Sequence, residues 1–143
     1  MPWYQDVRQR VRFERSARTA YPGLRSSSTG RGLNASVTYT VTVDVPEYEP
    51  RRLTISMSNS FEPILNGVVA DGPTDSPHRY PGAKLCMWYP SDPTDRRWVA
   101  DDGLRTLIEH ARIHLFKEAW WRETREWLGS QAPHRAGEPK NPK

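Results

Sequence analysis

The sequence predicts an α+β domain: an N-terminal helix, an antiparallel β-meander, an irregular loop that holds the lone cysteine, and a long C-terminal helix. Three observations predict it. Residues 36–45 alternate strictly between apolar and polar side chains, which is the two-residue period of a half-buried strand. Residues 104–128 carry apolar side chains at spacings of three and four, the stripe of an amphipathic helix. Between these segments, residues 72–102 hold five prolines, and a long regular element cannot run through them.

Each element follows in chain order. A helix is predicted over residues 3–20, with Tyr4, Val7 and Val11 on one face and Arg8, Arg12, Arg15 and Arg18 over much of the remainder. Tyr21-Pro22-Gly23 stops it. Residues 25–34, rich in serine and glycine, form a loop or a weak edge strand. In the first clear strand Val37, Tyr39, Val41, Val43 and Val45 share one face, with Thr38, Thr40, Thr42 and Asp44 on the other. After a turn at residues 46–50, Leu53, Ile55 and Met57 alternate with Thr54, Ser56 and Ser58. A third strand is predicted over residues 64–70, between Pro63 and the Asp71-Gly72-Pro73 turn. Asp101 or Asp102 is a suitable N-cap for the last helix, whose stripe of Leu104, Leu107, Ile108, Ala111, Leu115 and Ala119 runs on to Trp120, Trp127 and Leu128. Gly129 is a natural stop.

The chain is 143 residues long, enough for one domain with a modest core. Residues 1–130 are assigned to that domain, and residues 131–143, with almost no core-forming side chains, to a polar tail expected to be disordered. Apolar runs such as Val68-Val69-Ala70 fall far short of the roughly 18–20 residues of a membrane span. The N-terminus lacks the apolar stretch of about 7–15 residues that a secretory signal needs. A cytoplasmic protein without a membrane partner is expected. The single cysteine excludes an internal disulfide and a cysteine-rich zinc site.

Charge is uneven. Seven arginines face two acids within residues 1–31, a local balance of +5 in a chain of net +4. Arginine favours bidentate contacts to carboxylate or phosphate, so this segment is either a docking surface for an acidic partner or a solvated basic face.

Several residues could carry chemistry. Cys86 lies in the irregular loop with Lys84 two residues before it, and a nearby ammonium lowers a thiol pKa. A buried cysteine serving as a small apolar side chain is the plain alternative. His110 and His114 stand four apart on the predicted helix, a spacing that can place two imidazoles on one metal, although packed or surface histidines have the same spacing. Neither a Gly-x-Ser-x-Gly elbow nor a phosphate-loop or dinucleotide glycine pattern is present. Tryptophans interleaved with arginines can stack on single-stranded nucleic acid; Trp88, Trp98, Trp120, Trp121 and Trp127 are better explained as core.

The order of these pieces resembles the ubiquitin-conjugating enzymes. The matching parts are the arginine-rich residues 8–18, Phe61-Glu62-Pro63, Leu85-Cys86-Met87 in the loop, and Trp98 before the last helix. A closer resemblance is to a bacterial branch found in anti-phage operons of the CBASS type, beside a nucleotide synthase related to cGAS. It rests on His78-Arg79-Tyr80, Leu85-Cys86-Met87-Trp88-Tyr89-Pro90, Trp98, and Glu126-Trp127-Leu128-Gly129 with His134. The resemblance implies a ubiquitin-conjugating-like fold and a transferase that carries a protein C-terminus as a thioester on Cys86. It further implies that the cargo is the cGAS-like nucleotidyltransferase, that Arg8, Arg10 and Arg12 contact a partner, and that no metal or organic cofactor takes part. Whether an activating enzyme is needed stays open.

One departure is visible. The eukaryotic enzymes carry His-Pro-Asn before the cysteine, whereas this chain has His78-Arg79-Tyr80 and no asparagine there. His78, eight residues before Cys86, is therefore the expected donor to the oxyanion, or the group that moves a proton. Two other readings accompany this one: an inert member of the fold acting as a binding module, and a basic nucleic-acid-binding domain.

Overall fold

Asp6 starts the first helix, α1 (Val7–Ala20). Its carboxylate accepts hydrogen bonds from the backbone N–H groups of Arg8 at 2.9 Å and Gln9 at 3.3 Å, satisfying donors that a helix start leaves open. The predicted helix thus begins later than expected, and Trp3–Gln5 form a separate 3-10 turn. The computed structural model describes residues 2–31, 34–58, 67–88 and 91–129.

The buried face of α1 differs from the predicted one. Val7 is 73% exposed and Val11 42%, while Glu14 and Ala17 are buried. The cause lies outside the helix. Tyr39, on the neighbouring sheet, donates its hydroxyl to Glu14 Oε2 at 2.6 Å, and this polar contact turns the Glu14 side inward.

Among the described residues, six strands make one antiparallel sheet: β1 (Arg25–Thr29), β2 (Ser36–Val43), β3 (Arg51–Met57), β4 (Val68–Ala70), β5 (Arg79–Tyr80) and β6 (Lys84–Leu85), in the order β1-β2-β3-β4-β6-β5. The first four form the expected meander. Val37, Tyr39 and Val41 pair with Met57, Ile55 and Leu53, and all six are buried in one core. Thr42 and Ser56 are exposed on the other face. The register is therefore the predicted one, and a one-residue slip would have exchanged the two faces. The weak segment 25–29 is an exposed edge strand. Of the predicted third strand, residues 64–66 lie outside the described residues, as do Phe61-Glu62-Pro63 and the tail.

Two further corrections concern the second half. The proline-rich segment is not wholly irregular, because β5 and β6 pair as a short hairpin around Pro81 and Gly82. The last helix, α2 (Gly103–Thr124), ends before Leu128. Arg125 adopts a left-handed conformation, and its N–H donates to the Trp121 carbonyl at 2.7 Å. Trp127 and Leu128 are thereby taken off the helix. Asp102 stands at the N-cap of α2, as expected, but its carboxylate accepts from Val99 N–H at 2.9 Å rather than from the helix.

Leu104, Leu107, Ile108, Ala111 and Leu115 join α2 to the core that also holds the inner face of the sheet. Arg112 donates to the Asp44 carbonyl at 2.8 Å, and Tyr48 to Glu123 at 2.6 Å, so the end of β2 and the turn that follows it are tied to α2. Among the described residues no helix is long and apolar enough to cross a membrane.

Gly103 joins the two helices. Its φ is +85°, and a Cβ there would stand 2.7 Å from the Phe13 ring, while its carbonyl accepts from Trp98 Nε1 at 2.7 Å. Gly103→Ala is expected to lose about 1–3 kcal/mol in urea denaturation. Gly23→Ala, whose Cβ meets nothing within 4 Å, is expected to stay within about 0.5 kcal/mol of the parent.

Candidate functional site

The site is built on the β5–β6 hairpin, and a buried carboxylate on α2 holds that hairpin in place. Strand alternation directs Arg79 and its partner Leu85 towards the helix. Arg79 donates from Nε to Glu118 Oε2 at 2.5 Å and from Nη2 to Oε1 at 2.8 Å, a two-pronged contact. Glu118 is fully buried. Arg122 reaches the same carboxylate at 3.3 Å, and His114 Nε2 stands 3.1 Å away, off the line of a good hydrogen bond. Burial alone would push the Glu118 pKa up; the guanidinium and imidazole beside it outweigh burial and bring it down to about 2. Arg79 also donates to the carbonyls of Ala83 at 3.0 Å and Pro73 at 3.2 Å. One side chain thus joins α2, the hairpin turn and the segment before β5.

Cys86 follows directly after β6. Its backbone N–H donates to the His78 carbonyl at 2.9 Å, which continues the hairpin by one pair beyond Arg79 and Leu85. This pairing sets the backbones of Cys86 and His78, the two residues expected to act together, opposite each other. The thiol itself departs from expectation. Cys86 is 2% exposed, and burial raises its pKa to about 11 despite an opposing hydrogen bond from Tyr80; the charge of Asp92 raises it further. Lys84 is not among the groups that shift it, and its aliphatic stem lies against Gly67.

His78 is buried and has a left-handed backbone, with φ at 62°. A side chain in that region costs about 1–2 kcal/mol and leaves the strand's alternation. Its ring packs on Trp127, with centroids 4.4 Å apart. Trp127 also meets His114 edge-on at 5.3 Å, which is possible only because the chain left the helix at Arg125.

The remaining candidates are dispersed. Arg8 and Arg12 are exposed on α1, whereas Arg10 is folded onto Glu14 at 2.9 Å from Nε and 2.8 Å from Nη2. His114 faces Glu118, while His110 is exposed and packs edge-on against Trp88 at 5.6 Å. Among the described residues no group of three His, Cys, Asp or Glu side chains could hold a metal. Trp88 and Trp98 are buried and present no face on which a base could stack.

Sequence reasoning missed Glu118, Arg79 and the placement of Trp127. A signal for Glu118 existed: it lies three residues after Leu115 on the apolar stripe, where an acid is out of place unless paired. Arg79 and Trp127 stood in the motifs that carry the resemblance, but no feature of the sequence pointed to the contact that either makes.

The model of one protein family, described as Type II CBASS E2 protein, matches residues 7–135. No curated protein and no solved structure matches the chain.

The buried carboxylate makes stability depend on acid. Because the folded pKa of Glu118 lies below its ordinary 4.5, at about 2, its contribution is present above pH 4.5 and is lost as pH falls towards 2. Glu118→Gln is expected to cost about 3–5 kcal/mol at neutral pH, since Arg79 is left without its counter-charge, and to flatten this acid limb of the stability curve. For the thiol, alkylation by iodoacetamide is expected to be slow at pH 7 and to climb with pH towards about 11. Mass spectrometry of native and urea-unfolded protein measures the contrast.

Proposed function

This chain belongs to the family of Type II CBASS E2 proteins, and from that premise we propose that it is a ubiquitin-conjugating-like transferase carrying a partner protein's C-terminus as a thioester on Cys86. The observation that carries this reading is the family match over residues 7–135, which spans Cys86, the chain's one cysteine. The arrangement of N-terminal helix, antiparallel sheet and long C-terminal helix is the one a ubiquitin-conjugating fold requires. We take the partner to be another CBASS protein, a cGAS-like nucleotidyltransferase whose anti-phage signalling the conjugation regulates, and residues 1–130 to be the conjugating domain.

The step is an acyl exchange. The cargo's C-terminal carbonyl must arrive activated, as it does when an activating enzyme presents it as a thioester. The Cys86 thiol gives up its proton and its sulfur attacks that carbonyl. The tetrahedral oxyanion then collapses, the old C–S bond breaks, and the departing thiolate takes up a proton. Nothing is oxidised or reduced, and no metal or organic cofactor is needed. A thiol with a pKa of about 11 is ionised in only about one molecule in ten thousand at pH 7. Attack therefore requires proton removal at the moment of reaction, or partner docking that uncovers the sulfur. His78, paired with Cys86 through the backbone, is the group we assign to moving that proton or to donating a hydrogen bond to the oxyanion. Arg8 and Arg12, with Arg10 behind them, form the docking face for an acidic partner.

The burial of Cys86 favours a second reading, in which the chain binds its partner without forming a thioester. Gels run with and without reductant, after mixing with a CBASS nucleotidyltransferase in the presence and absence of an activating enzyme, separate the two. Wild type is expected to form a thiol-labile adduct, Cys86→Ser a stable oxyester or none, and Cys86→Ala none. His78→Ala is expected to slow transfer on the order of 100-fold while folding is kept. Replacing Arg8 and Arg12 should weaken docking without changing thiol reactivity. An adduct that survives in Cys86→Ala overturns the assignment.

A further inference from the structure

Residues 126–129 belong neither to α2 nor to the sheet. The left-handed turn at Arg125, backed by a bond from Glu126 N–H to Thr124 Oγ1 at 3.1 Å, sends them back over the site. Trp127 arrives between two histidines, 4.4 Å from the ring of His78 and 5.3 Å from that of His114.

His78 keeps a backbone conformation that side chains disfavour, and such conformations persist where the surroundings hold them. Three contacts among the described residues bear on His78. Its carbonyl accepts the Cys86 N–H at 2.9 Å. Its neighbour Arg79 is locked to Glu118. Its ring lies on Trp127. The first two fix the backbone, and the third acts on the imidazole.

We propose that Trp127 is a positioning residue of the thiol site: from a segment outside the regular elements it holds the imidazole of His78, the residue whose backbone pairs with Cys86. The inference rests on the reading of Cys86 as the acyl carrier and deepens it. A broad, rigid indole suits this task, because it constrains a neighbouring ring with few torsions of its own. It also suits the chemistry: a tryptophan face within about 6 Å attracts a cation, so an imidazole that gains the thiol's proton is stabilised where it stands. Phenylalanine retains part of this effect and leucine none.

The test needs no cargo. Iodoacetamide alkylation of Cys86 is followed by mass spectrometry in native wild type, Trp127→Phe, Trp127→Ala, His78→Ala and the Trp127→Ala/His78→Ala double variant. Circular dichroism melts confirm folding, and Trp127→Leu replaces Trp127→Ala if the latter does not fold. Trp127→Ala is expected to change the rate by at least about threefold and Trp127→Phe by less. The double variant should match His78→Ala, since two residues acting through one group are not additive. A rate unchanged in Trp127→Ala overturns the proposal, and so does a double variant showing the product of the two single effects. Failure of wild type to form any adduct with its partner overturns the transferase reading and leaves this result untouched.

Discussion

A single buried carboxylate organises the functional end of this protein. Glu118 has no exposure, and Arg79 reaches it through two hydrogen bonds. A charge so placed is tolerable only with its counter-charge and donors in position. That requirement runs outward along the chain. Arg79 must stand on β5, β5 must pair with β6, and the pair then places the His78 carbonyl opposite the Cys86 amide. Arg122 extends the constraint, binding Asp75 at 2.7 Å and the Pro73 carbonyl at 3.0 Å. A proline-rich segment with little hydrogen bonding of its own is thereby fixed to the rigid face of α2.

The other helix is attached by the same device. Glu14 is buried against the sheet, accepting from Tyr39 while Arg10 neutralises it. Burial, together with the carboxylate beside it, raises the Tyr39 pKa well above that of an ordinary phenol. Both helices are thus located on the sheet by an acid rather than by apolar shape alone. Directional hydrogen bonds fix rotation about a helix axis, which apolar contact does weakly. In α1 the effect is large enough to leave Val7 and Val11 in solvent, beside Arg8 and Arg12.

The thiol illustrates how tertiary placement sets reactivity. By sequence, Lys84 is the nearest charge to Cys86. In space the lysine runs along Gly67, and the thiol answers to burial, Tyr80 and Asp92. Its resting form is protonated, so the thioester chemistry we propose depends on what His78 and a docked partner do to it. A covered thiol is also guarded against oxidation and stray alkylation, since both need access and thiolate character.

What the sequence determined by itself is what depends on neighbours along the chain. The two-residue period of residues 37–43 and 53–57 set the strands, their inner faces and their register, because side-chain direction in a strand is local. The stripe from Leu104 to Leu115 set the buried face of α2 for the same reason. The lone Cys86 and the preceding His78 were legible as a candidate pair from the resemblance they carry. Tertiary structure alone decided the rest. That Arg79 would meet Glu118, thirty-nine positions away, that Tyr39 would turn Glu14 inward, and that Trp127 would leave its helix to cover His78 are contacts between distant segments. No periodicity encodes such contacts, since they arise from burying charge and ring surface that each segment cannot satisfy alone.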